Sequence, residues 1–367
     1  MRVQLFRPQI SEEAISAVGD VLRSGWLGLG PRTEEFENAF AKYVGAQHCV
    51  ALNSGTSAIH LALRILDLPR NSEVVTTALT FVATNHPILY EGLKPVFADI
   101  DPGTGNLSVA AAADRITDRT RAIMLVHYGG YPCDLDEFYA LARDRGISII
   151  EDCAHACGAT YKGHRIGSQG DLHAFSFHPT KNLPMGDGGA LTVRSPEHDK
   201  RLRRLRWLGI DKDTYRRTGE VAEQWEYEVK EVGFKYHMND VSAAIGLHQL
   251  PLVDQGNAHR ARVAALYREG LSRTPGIQLL RDESDRVSSF HLFPILAERR
   301  DALIAKLRES EIEAGIHYRR NDEYPMYQCH DLPETERFWR SVVTLPMHLQ
   351  LTDEQVGYVI DTIASGW

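Results

Sequence analysis

The sequence predicts an α/β fold in which a large domain with a mainly parallel sheet is followed by a smaller α+β domain. Over the first two-thirds of the 367 residues, short apolar runs alternate with stretches of helical periodicity, the pattern of strand–helix–strand units. Residues 122–126 are apolar without a break, as expected of a strand buried on both faces. From about Asp254 this alternation ends. We therefore expect a large domain over residues 1–253 and a small one over residues 254–367, on which the first residues of the chain can also pack.

The large domain is expected to have strands at the apolar runs and helices between them. The predicted strands cover residues 49–52, 74–77, 95–100, 122–127 and 147–152, and the predicted helices include residues 57–66 and 135–145. An earlier helix begins after Ser11, because two acidic residues follow this capping serine and apolar residues then recur at helical spacing. Parallel strands that are connected by helices place those helices on both faces of the sheet.

The small domain has fewer and more mixed elements. Helical patterns at residues 258–271 and 301–308 lie on either side of a predicted strand at residues 289–295. The last helix begins at Thr352, with a glutamine three residues later as its capping-box partner. Residues 211–233, which precede this domain, are highly charged and weakly patterned, and this predicts a mobile loop.

The composition argues against some classes of binding partner and predicts the cellular compartment. The net charge of −8 argues against nucleic acid as a partner, since a phosphate-binding surface needs an excess of basic residues. No uncharged apolar run reaches the ~18 residues of a transmembrane helix, so no membrane association is expected. The first residues also lack the pattern of a signal peptide. The five cysteines are too few for a disulfide framework and are expected to be the reduced thiols of a cytoplasmic enzyme.

A segment of small and hydroxyl-bearing residues, 53–57, follows the first predicted strand and begins a helix. Small residues let backbone N–H groups approach an anion, and the helix dipole favours negative charge at this end. The same residues are also what an ordinary strand–helix turn with a capping serine or threonine requires. The sequence alone leaves both interpretations open.

Two charged side chains have positions suited to binding an organic cofactor. Asp152 ends an apolar strand, at the edge where open α/β sheets bind their ligands. A carboxylate there can hold a cationic ring nitrogen, or it can form a structural ion pair. Lys181 lies between the aromatic run 175–177 and the glycine-rich turn 186–189. It can form a Schiff base if its amine stays partly neutral, or it can be an exposed loop lysine.

The alternation of Cys153, His155 and Cys157 suggests a metal site at first sight, because in an extended segment the three side chains face one way. No fourth ligand with suitable spacing accompanies them, and the sequence contains no C-x-x-C pair. Isolated buried cysteines usually behave as small hydrophobic residues. We therefore expect no metal here.

Several stretches, taken in chain order, resemble the DegT/DnrJ/EryC1/StrS family of sugar aminotransferases, within the aspartate-aminotransferase (fold type I) superfamily. The stretches are SGWLGLGP, NSGTSAIHLAL, TFVATNHPI, IEDCAHACGATY, FSFHPTKN, GDGGA, MNDVSAAIGLHQL and, more weakly, GIHY. They extend from Ser24 to Tyr318 and so cover most of the chain. The resemblance implies a fold type I enzyme with pyridoxal 5'-phosphate as cofactor, and a homodimer in which the two active sites are shared.

The resemblance also implies roles for residues near the cofactor ring. Lys181 matches the lysine that forms the Schiff base, and Asp152 matches the acid that pairs with the pyridinium nitrogen. His155 stands where the family has Gln or His beside the ring hydroxyl, and Phe81 matches the aromatic residue that stacks near the ring. Lys181 and Asp152 are therefore the expected catalytic residues.

A further group matches the family's phosphate and substrate sites. Three small residues match the phosphate cradle: Gly55, Thr56 and Ser176. His317 lies near a substrate-side His-Tyr pair. The family motif G-[FY]-N-Y-R, whose Asn reaches the phosphate of the neighbouring subunit, is replaced by GFKYH at residues 233–237. Lys235 can make this contact as a point charge, with His237 as the alternative.

The implied roles together predict a transaminase that moves an amino group from an amino acid, with glutamate as the expected donor, to a keto sugar. The first choice of acceptor is a nucleotide-linked keto-deoxyhexose, while a keto-inositol or a keto-octulosonate stays open. A sugar dehydratase on the same fold is an alternative, but such relatives tend to have histidine in place of Lys181. A non-catalytic regulatory protein is another, although no helix-turn-helix signature or basic domain supports it.

Overall fold

The computed structural model describes residues 1–211, 227–327 and 331–367. The helices, in chain order, are α1 (Glu12–Ser24), α2 (Pro31–Val44), α3 (Gly55–Arg64), α4 (His86–Tyr90), α5 (Val109–Arg115), α6 (Leu135–Arg145), α7 (Pro196–Leu205), α8 (Asp240–Gln249), α9 (Val253–Leu271), α10 (Arg300–Glu309), α11 (Pro333–Ser341) and α12 (Asp353–Ala364). The strands are β1 (His48–Leu52), β2 (Glu73–Thr77), β3 (Lys94–Ala98), β4 (Thr120–Val126), β5 (Ser148–Asp152), β6 (Thr160–Tyr161), β7 (His164–Arg165), β8 (Leu172–Ser176), β9 (Gly189–Val193), β10 (Ile277–Leu279), β11 (Arg286–Val287), β12 (Phe293–Ala297) and β13 (Val342–Leu345).

The main sheet of the described residues has seven strands in the order β1-β9-β8-β5-β4-β2-β3. From β3 to β8 the neighbouring strands are parallel, whereas β9 is antiparallel to both of its neighbours, β8 and β1. Every residue of β2 and β9 is buried, as expected when helices cover both faces of a sheet. The prediction of an α/β fold with a mainly parallel sheet is therefore confirmed.

The two faces of the sheet are covered by different helices. On one face, Phe40 of α2 meets Phe175 and Phe177 edge-on, with ring centroids 5.0 and 5.1 Å apart. On the other face, α3 packs across β8 and β9 through a row of buried apolar side chains. Because α3 starts just after β1 ends, its N-terminus lies at the same edge as the carboxyl ends of β5 and β8. This edge collects Gly55, Asp152 and Ser176.

The C-terminal part contains a separate antiparallel sheet, with β12 between β10 and β13 in the described residues. α9, α10 and α12 enclose a buried apolar cluster against it. Val3 belongs to the same cluster; its N–H donates to Glu311 O at 3.0 Å, and its carbonyl accepts from Glu313 N at 2.9 Å. The first residues thus pack on the C-terminal part. The division between residues 253 and 254 stays a prediction.

The predicted helices and strands agree with the structure except at one place. α1 and α12 begin at their predicted caps, Ser11 and Thr352. The strand predicted at residues 289–295 is wrong in its first half, because β12 begins only at Phe293 and the preceding backbone bonds to a turn after β4. Most of the predicted mobile loop, residues 212–226, lies outside the described residues. Among the described helices, none is both long and apolar enough to cross a membrane.

Candidate active site

A cavity of about 370 Å³ opens at the carboxyl edge of the main sheet, where α3 begins and β5 and β8 end. The predicted site residues that line it are Gly55, Thr56, Phe81, Asp152, His155, Ser176 and Lys181. Tyr318, from the C-terminal part, lines it as well. Open α/β sheets bind their ligands at this edge. The structure therefore brings residues from distant stretches of the sequence into one cavity.

The end of the cavity at α3 offers free hydrogen-bond donors. Ser54 is the N-cap of this ten-residue helix, and its Oγ accepts a hydrogen bond from Ser57 N at 3.1 Å. Within the described part of the chain, the N–H groups of Gly55 and Thr56 have no acceptor. Free N–H groups at a helix N-terminus form an anion site. The segment therefore caps its helix as a strand–helix turn does. Anion binding by the free donors of Gly55 and Thr56 stays a prediction.

Ser176, at the end of β8, lies directly against this helix N-terminus. A Cβ atom on Gly55 would fall 2.7 Å from Ser176 Cβ, so glycine is required for the two segments to approach. The Ser176 Oγ accepts a long hydrogen bond from His178 N at 3.5 Å, which leaves its own hydrogen free to donate. One hydroxyl and two backbone N–H groups are a suitable set of donors for a phosphate.

Asp152 is fixed at the end of β5 by two hydrogen bonds and is only 5% exposed. Its Oδ2 accepts from Thr84 Oγ1 at 2.7 Å, and its Oδ1 accepts from Ala154 N at 3.0 Å. Burial raises the pKa of Asp152, and the two hydrogen bonds and the nearby Lys181 offset part of this effect. A buried carboxylate with raised basicity is a strong partner for a cationic ring nitrogen.

A buried hydrogen-bond network around Glu151, the neighbour of Asp152, fixes the end of strand β5. Glu151 accepts a hydrogen bond from His127 Nε2 at 2.9 Å and lies 3.4 Å from Nε2 of His173. His127 Nδ1 accepts from Cys133 N at 3.1 Å, which assigns its hydrogen to Nε2. Burial alone would raise the pKa of Glu151, but His173 and His127 outweigh it and hold the pKa well below its usual range. Glu151 is therefore a structural carboxylate, whereas Asp152 faces the cavity.

Lys181 lies in the turn between β8 and β9, with its side chain in the cavity. Its Nζ is 3.4 Å from Nε2 of His291. Burial lowers the pKa of Lys181 to about 8, while Asp152 acts in the opposite direction. Near neutral pH a useful fraction of such an amine is unprotonated, as bonding to a carbonyl carbon requires. The alternative of an exposed loop lysine is therefore wrong.

His155 lies between the cavity and the C-terminal part. Its Nε2 is 3.0 Å from the hydroxyl of Tyr318, and its Nδ1 is buried without a partner in the described residues. Burial lowers the pKa of His155 well below its usual range, and Lys181 acts in the same direction, so the ring is neutral. Cys153 and Cys157 belong instead to the apolar core, because the segment turns after β5 rather than staying extended.

His317 lies beside the cavity but does not line it. Its Nδ1 is 2.9 Å from Thr344 Oγ1, and its carbonyl accepts a hydrogen bond from Tyr128 OH. The ring of Phe6 meets it edge-on at 5.7 Å. Burial lowers the pKa of His317 to about 4, and Lys181 acts in the same direction. Contact of His317 with an acceptor substrate stays a prediction.

Lys235 is exposed and lies outside the cavity lining of its own chain. Its Nζ is 3.4 Å from the centre of the Trp207 ring, and its carbonyl accepts from Asn53 Nδ2 at 3.2 Å. The backbone at Lys235 therefore borders the segment 53–57. His237 meets Trp207 edge-on at 4.5 Å, and its buried Nδ1 has no partner among the described residues. A contact of either residue with the neighbouring subunit stays a prediction.

Three residues of the site were missed by sequence reasoning. Thr84 follows Phe81 by three positions within the TFVATNHPI stretch, and Tyr318 follows the predicted His317 directly. Both could have been found as neighbours of predicted residues. His291 is a polar residue inside an apolar run, and a buried polar residue in such a run is a signal of function.

Comparison with known proteins identifies a matching family and several proteins of similar structure. The chain matches the model of the DegT/DnrJ/EryC1/StrS aminotransferase family over residues 8–364. It is 36% identical over 369 residues to the spore coat polysaccharide biosynthesis protein SpsC of Bacillus subtilis, covering 97% of this chain and 95% of that protein. The sugar aminotransferase CalS13 of Micromonospora echinospora superposes with a TM-score of 0.92 at 35% identity, over 99% of both chains. The pyridoxal-phosphate form of Spr1654 from Streptococcus pneumoniae superposes with a TM-score of 0.92 at 30% identity, over 100% of this chain and 98% of that one.

Proposed function

Because the chain belongs to the DegT/DnrJ/EryC1/StrS aminotransferase family, and is therefore a pyridoxal-phosphate-dependent transaminase, we propose that it transfers an amino group from glutamate to a keto sugar. The observation that carries the proposal is the Lys181 amine, which has a lowered pKa and lines the same cavity as Asp152 and the N-terminus of α3. The likeness to CalS13, a sugar aminotransferase, supports a sugar as the acceptor. A nucleotide-linked keto-deoxyhexose is the first choice of acceptor.

The cavity fits pyridoxal 5'-phosphate at both of its ends. At the phosphate end, the close approach of Gly55 to Ser176 brings the Ser176 hydroxyl beside backbone N–H groups that have no acceptor in the described residues. At the ring end, the unpartnered Nδ1 of His155 is available to a ring hydroxyl, and Phe81 is 57% exposed and can stack on a ring. The proposed cofactor-binding residues are Gly55, Thr56, Phe81, Asp152, His155, Ser176 and Lys181, the last through a covalent bond at Nζ.

The residues of this chain have distinct roles in amino transfer. When bound, pyridoxal phosphate supplies an electron sink for the charge left at Cα of the donor after its proton is removed. The Asp152 carboxylate holds a proton on the ring nitrogen by electrostatic attraction. Lys181, once its amine is free, would take the proton from Cα of the donor and deliver it to the cofactor carbon that bears the nitrogen, and a pKa of about 8 suits this transfer. His155 stays neutral beside them, so it adds no competing positive charge.

We also propose that the active protein is a homodimer with shared sites. Lys235 is exposed beside the segment 53–57, and its ammonium contacts an aromatic ring rather than a carboxylate. In a symmetric dimer each chain can lend such a group to the other's phosphate site. His237 is the second candidate for this contact. The cytoplasmic location expected from the sequence stays a prediction.

The proposal is tested by following both half-reactions of the purified protein loaded with pyridoxal phosphate. Glutamate should bleach the absorbance band of the bound cofactor and release 2-oxoglutarate. Addition of nucleotide-linked 4-keto and 3-keto hexoses, a keto-inositol and a keto-octulosonate should then identify the acceptor by mass spectrometry of the aminated product. A bound chromophore that neither glutamate nor glutamine changes would contradict the proposal. So would a reaction in which no keto sugar is aminated but a simple keto acid is.

A further inference from the structure

The segment 288–292, which leads into β12, is joined to the residue after the catalytic lysine and to His155. Asn182, the residue after Lys181, donates from Nδ2 to Ser289 O at 2.8 Å. The hydroxyl of Ser289 donates to the carbonyl of His155. The segment therefore holds the lysine turn and the His155 turn together, although it belongs to the C-terminal part of the chain.

The turn at Gly129 and Gly130, which follows β4, also fixes the segment 288–292 through two backbone hydrogen bonds. Ser289 N donates to Gly130 O, and Leu292 N donates to Gly129 O, both at 3.1 Å. Gly130 has a φ of +94°, and a Cβ atom on it would fall 2.1 Å from Ser289 Oγ. Glycine is thus required here by both conformation and space. The segment has little freedom to move relative to the sheet.

His291 is the side chain that this segment presents to the active site. It is 3% exposed, and its Nε2 is 3.4 Å from Lys181 Nζ, the hydrogen-bond contact of that amine within the described ranges. In the part of the chain that the structure describes, no hydrogen bond joins this amine to Asp152, whose two oxygens accept from Thr84 and Ala154. The His291 ring packs between His155, with centroids 4.4 Å apart, and Phe6, at 5.8 Å.

The charges around the amine favour an accepting role for His291. Four titratable groups face Lys181: Asp152 on β5, His155 after it, His291 before β12, and His317. Burial lowers the pKa of His291 well below its usual range, and Lys181 acts in the same direction. In the tautomer that leaves the lone pair on Nε2, a neutral imidazole accepts a hydrogen bond from Lys181 Nζ, and an ammonium at this place can only donate it.

Resting on the proposed function, we propose that His291 is a positioning residue for Lys181. Its Nε2 accepts a hydrogen bond from Nζ whenever the amine is free of the cofactor, and so holds the amine where it can move the proton at Cα of the donor. His291 itself neither takes up this proton nor bonds to the substrate. It acts through Lys181, and the rigid segment 288–292 gives it a fixed place from which to act.

The test compares His291→Phe, which keeps a ring between Phe6 and His155 but removes the acceptor, with His291→Gln, which keeps an acceptor. The first readout uses protein without cofactor: the pH dependence of Lys181 acetylation, measured by competitive labelling and peptide mass spectrometry. The wild-type midpoint is expected at about 8. His291→Phe should lower it, because the ammonium form loses an acceptor, and His291→Gln should restore it.

The second readout is the single-turnover rate of the glutamate half-reaction. His291→Phe should slow it about fivefold to tenfold, with little change in the apparent affinity for glutamate, and His291→Gln should recover most of the rate. His291→Asn, too short to reach Nζ, serves as a second loss variant if the phenylalanine variant does not fold.

An unchanged labelling midpoint in a folded loss variant would overturn the proposal, as would equal defects in the glutamine and phenylalanine variants. Thermal unfolding of each variant shows whether it is folded. A wild-type protein that transfers no amino group would contradict the proposed function instead. In that case a midpoint that still shifts in His291→Phe would support the Lys181–His291 pair on its own.

Discussion

The two ends of the cavity differ in whether their polar groups find partners within the same chain. At the lysine end, formed by Lys181, Asp152, His155 and His291, every side chain has a hydrogen-bonding or stacking partner from the same chain. At the anion end, formed by Gly55, Thr56 and Ser176, backbone donors lack acceptors among the residues that the structure describes, and Lys235 lies outside the lining. We therefore propose that the proton-transfer groups come from one chain, whereas the anion end is open to a ligand and to a second subunit.

The largest expected effect lies at the lysine end. Lys181→Ala removes the amine that moves the proton, so we expect amino transfer to fall by about 1,000-fold or more. The fold should persist, because the side chain occupies a cavity rather than the apolar core. Release of 2-oxoglutarate and thermal unfolding check the two statements. Near wild-type exchange would remove Lys181 from the reaction and with it the distinction between the two ends.

Asp152→Asn tests the lysine end of the cavity by removing the negative charge of one side chain while keeping its size. A neutral amide cannot hold a proton on the ring nitrogen, so we expect turnover to fall about 100-fold. Cofactor binding should largely survive, since the anion end is untouched. Turnover and the cofactor content after gel filtration measure the two effects. If turnover does not change, Asp152 is a structural carboxylate like Glu151.

The anion end is tested by mixing two inactive variants. Lys181→Ala disables the site on its own chain, whereas Lys235→Glu should repel the phosphate bound to the other chain. In a mixed dimer both defects fall in one site and the second site is intact. Random reassembly should therefore restore about a quarter of wild-type activity, because half of the dimers are mixed and each has one good site.

The control for this experiment is Lys94→Glu, which makes the same charge change at an exposed lysine on the opposite edge of the main sheet. It should stay active on its own. No recovery after confirmed subunit exchange would mean that Lys235 serves its own chain. An active Lys235→Glu variant would instead transfer the role to His237.

A smaller effect is predicted for His317, which lies beside the cavity in the C-terminal part. If His317 faces the acceptor, His317→Ala should slow the sugar half-reaction about tenfold and leave the glutamate half-reaction nearly unchanged. Stopped-flow absorbance measures the two halves separately. Equal losses in both would show that His317 acts on the lysine end instead.

Local patterns were sufficient for most of the sheet, and the apolar run 122–126 became the buried strand β4. For the segment 53–57 they predicted the start of a helix but left its role open, and only the resemblance to the family assigned Gly55 and Thr56 to the phosphate. Such features need only neighbouring residues. Ser176 and Lys181 likewise lie within one short stretch after a strand.

Contacts between distant segments could not be predicted in this way. Residues 289–292 have the apolar pattern of a strand, but their backbone bonds to Gly129 and Gly130, about 160 positions earlier, which no local pattern records. His291 meets Lys181 across 110 positions for the same reason. The motif around Lys235 suggested its contact with a phosphate, yet its place over the Trp207 ring depends on tertiary packing.

The most direct test of the central claim, that Lys181 binds the cofactor covalently, is chemical trapping. Protein loaded with pyridoxal phosphate is reduced with borohydride, which makes the bond between lysine and cofactor permanent, and is then digested and examined by peptide mass spectrometry. We predict that the peptide containing Lys181 carries the cofactor and that Lys181→Ala protein shows no stoichiometric labelling. Stoichiometric labelling of a different lysine, such as Lys235, with Lys181 unmodified would contradict the account.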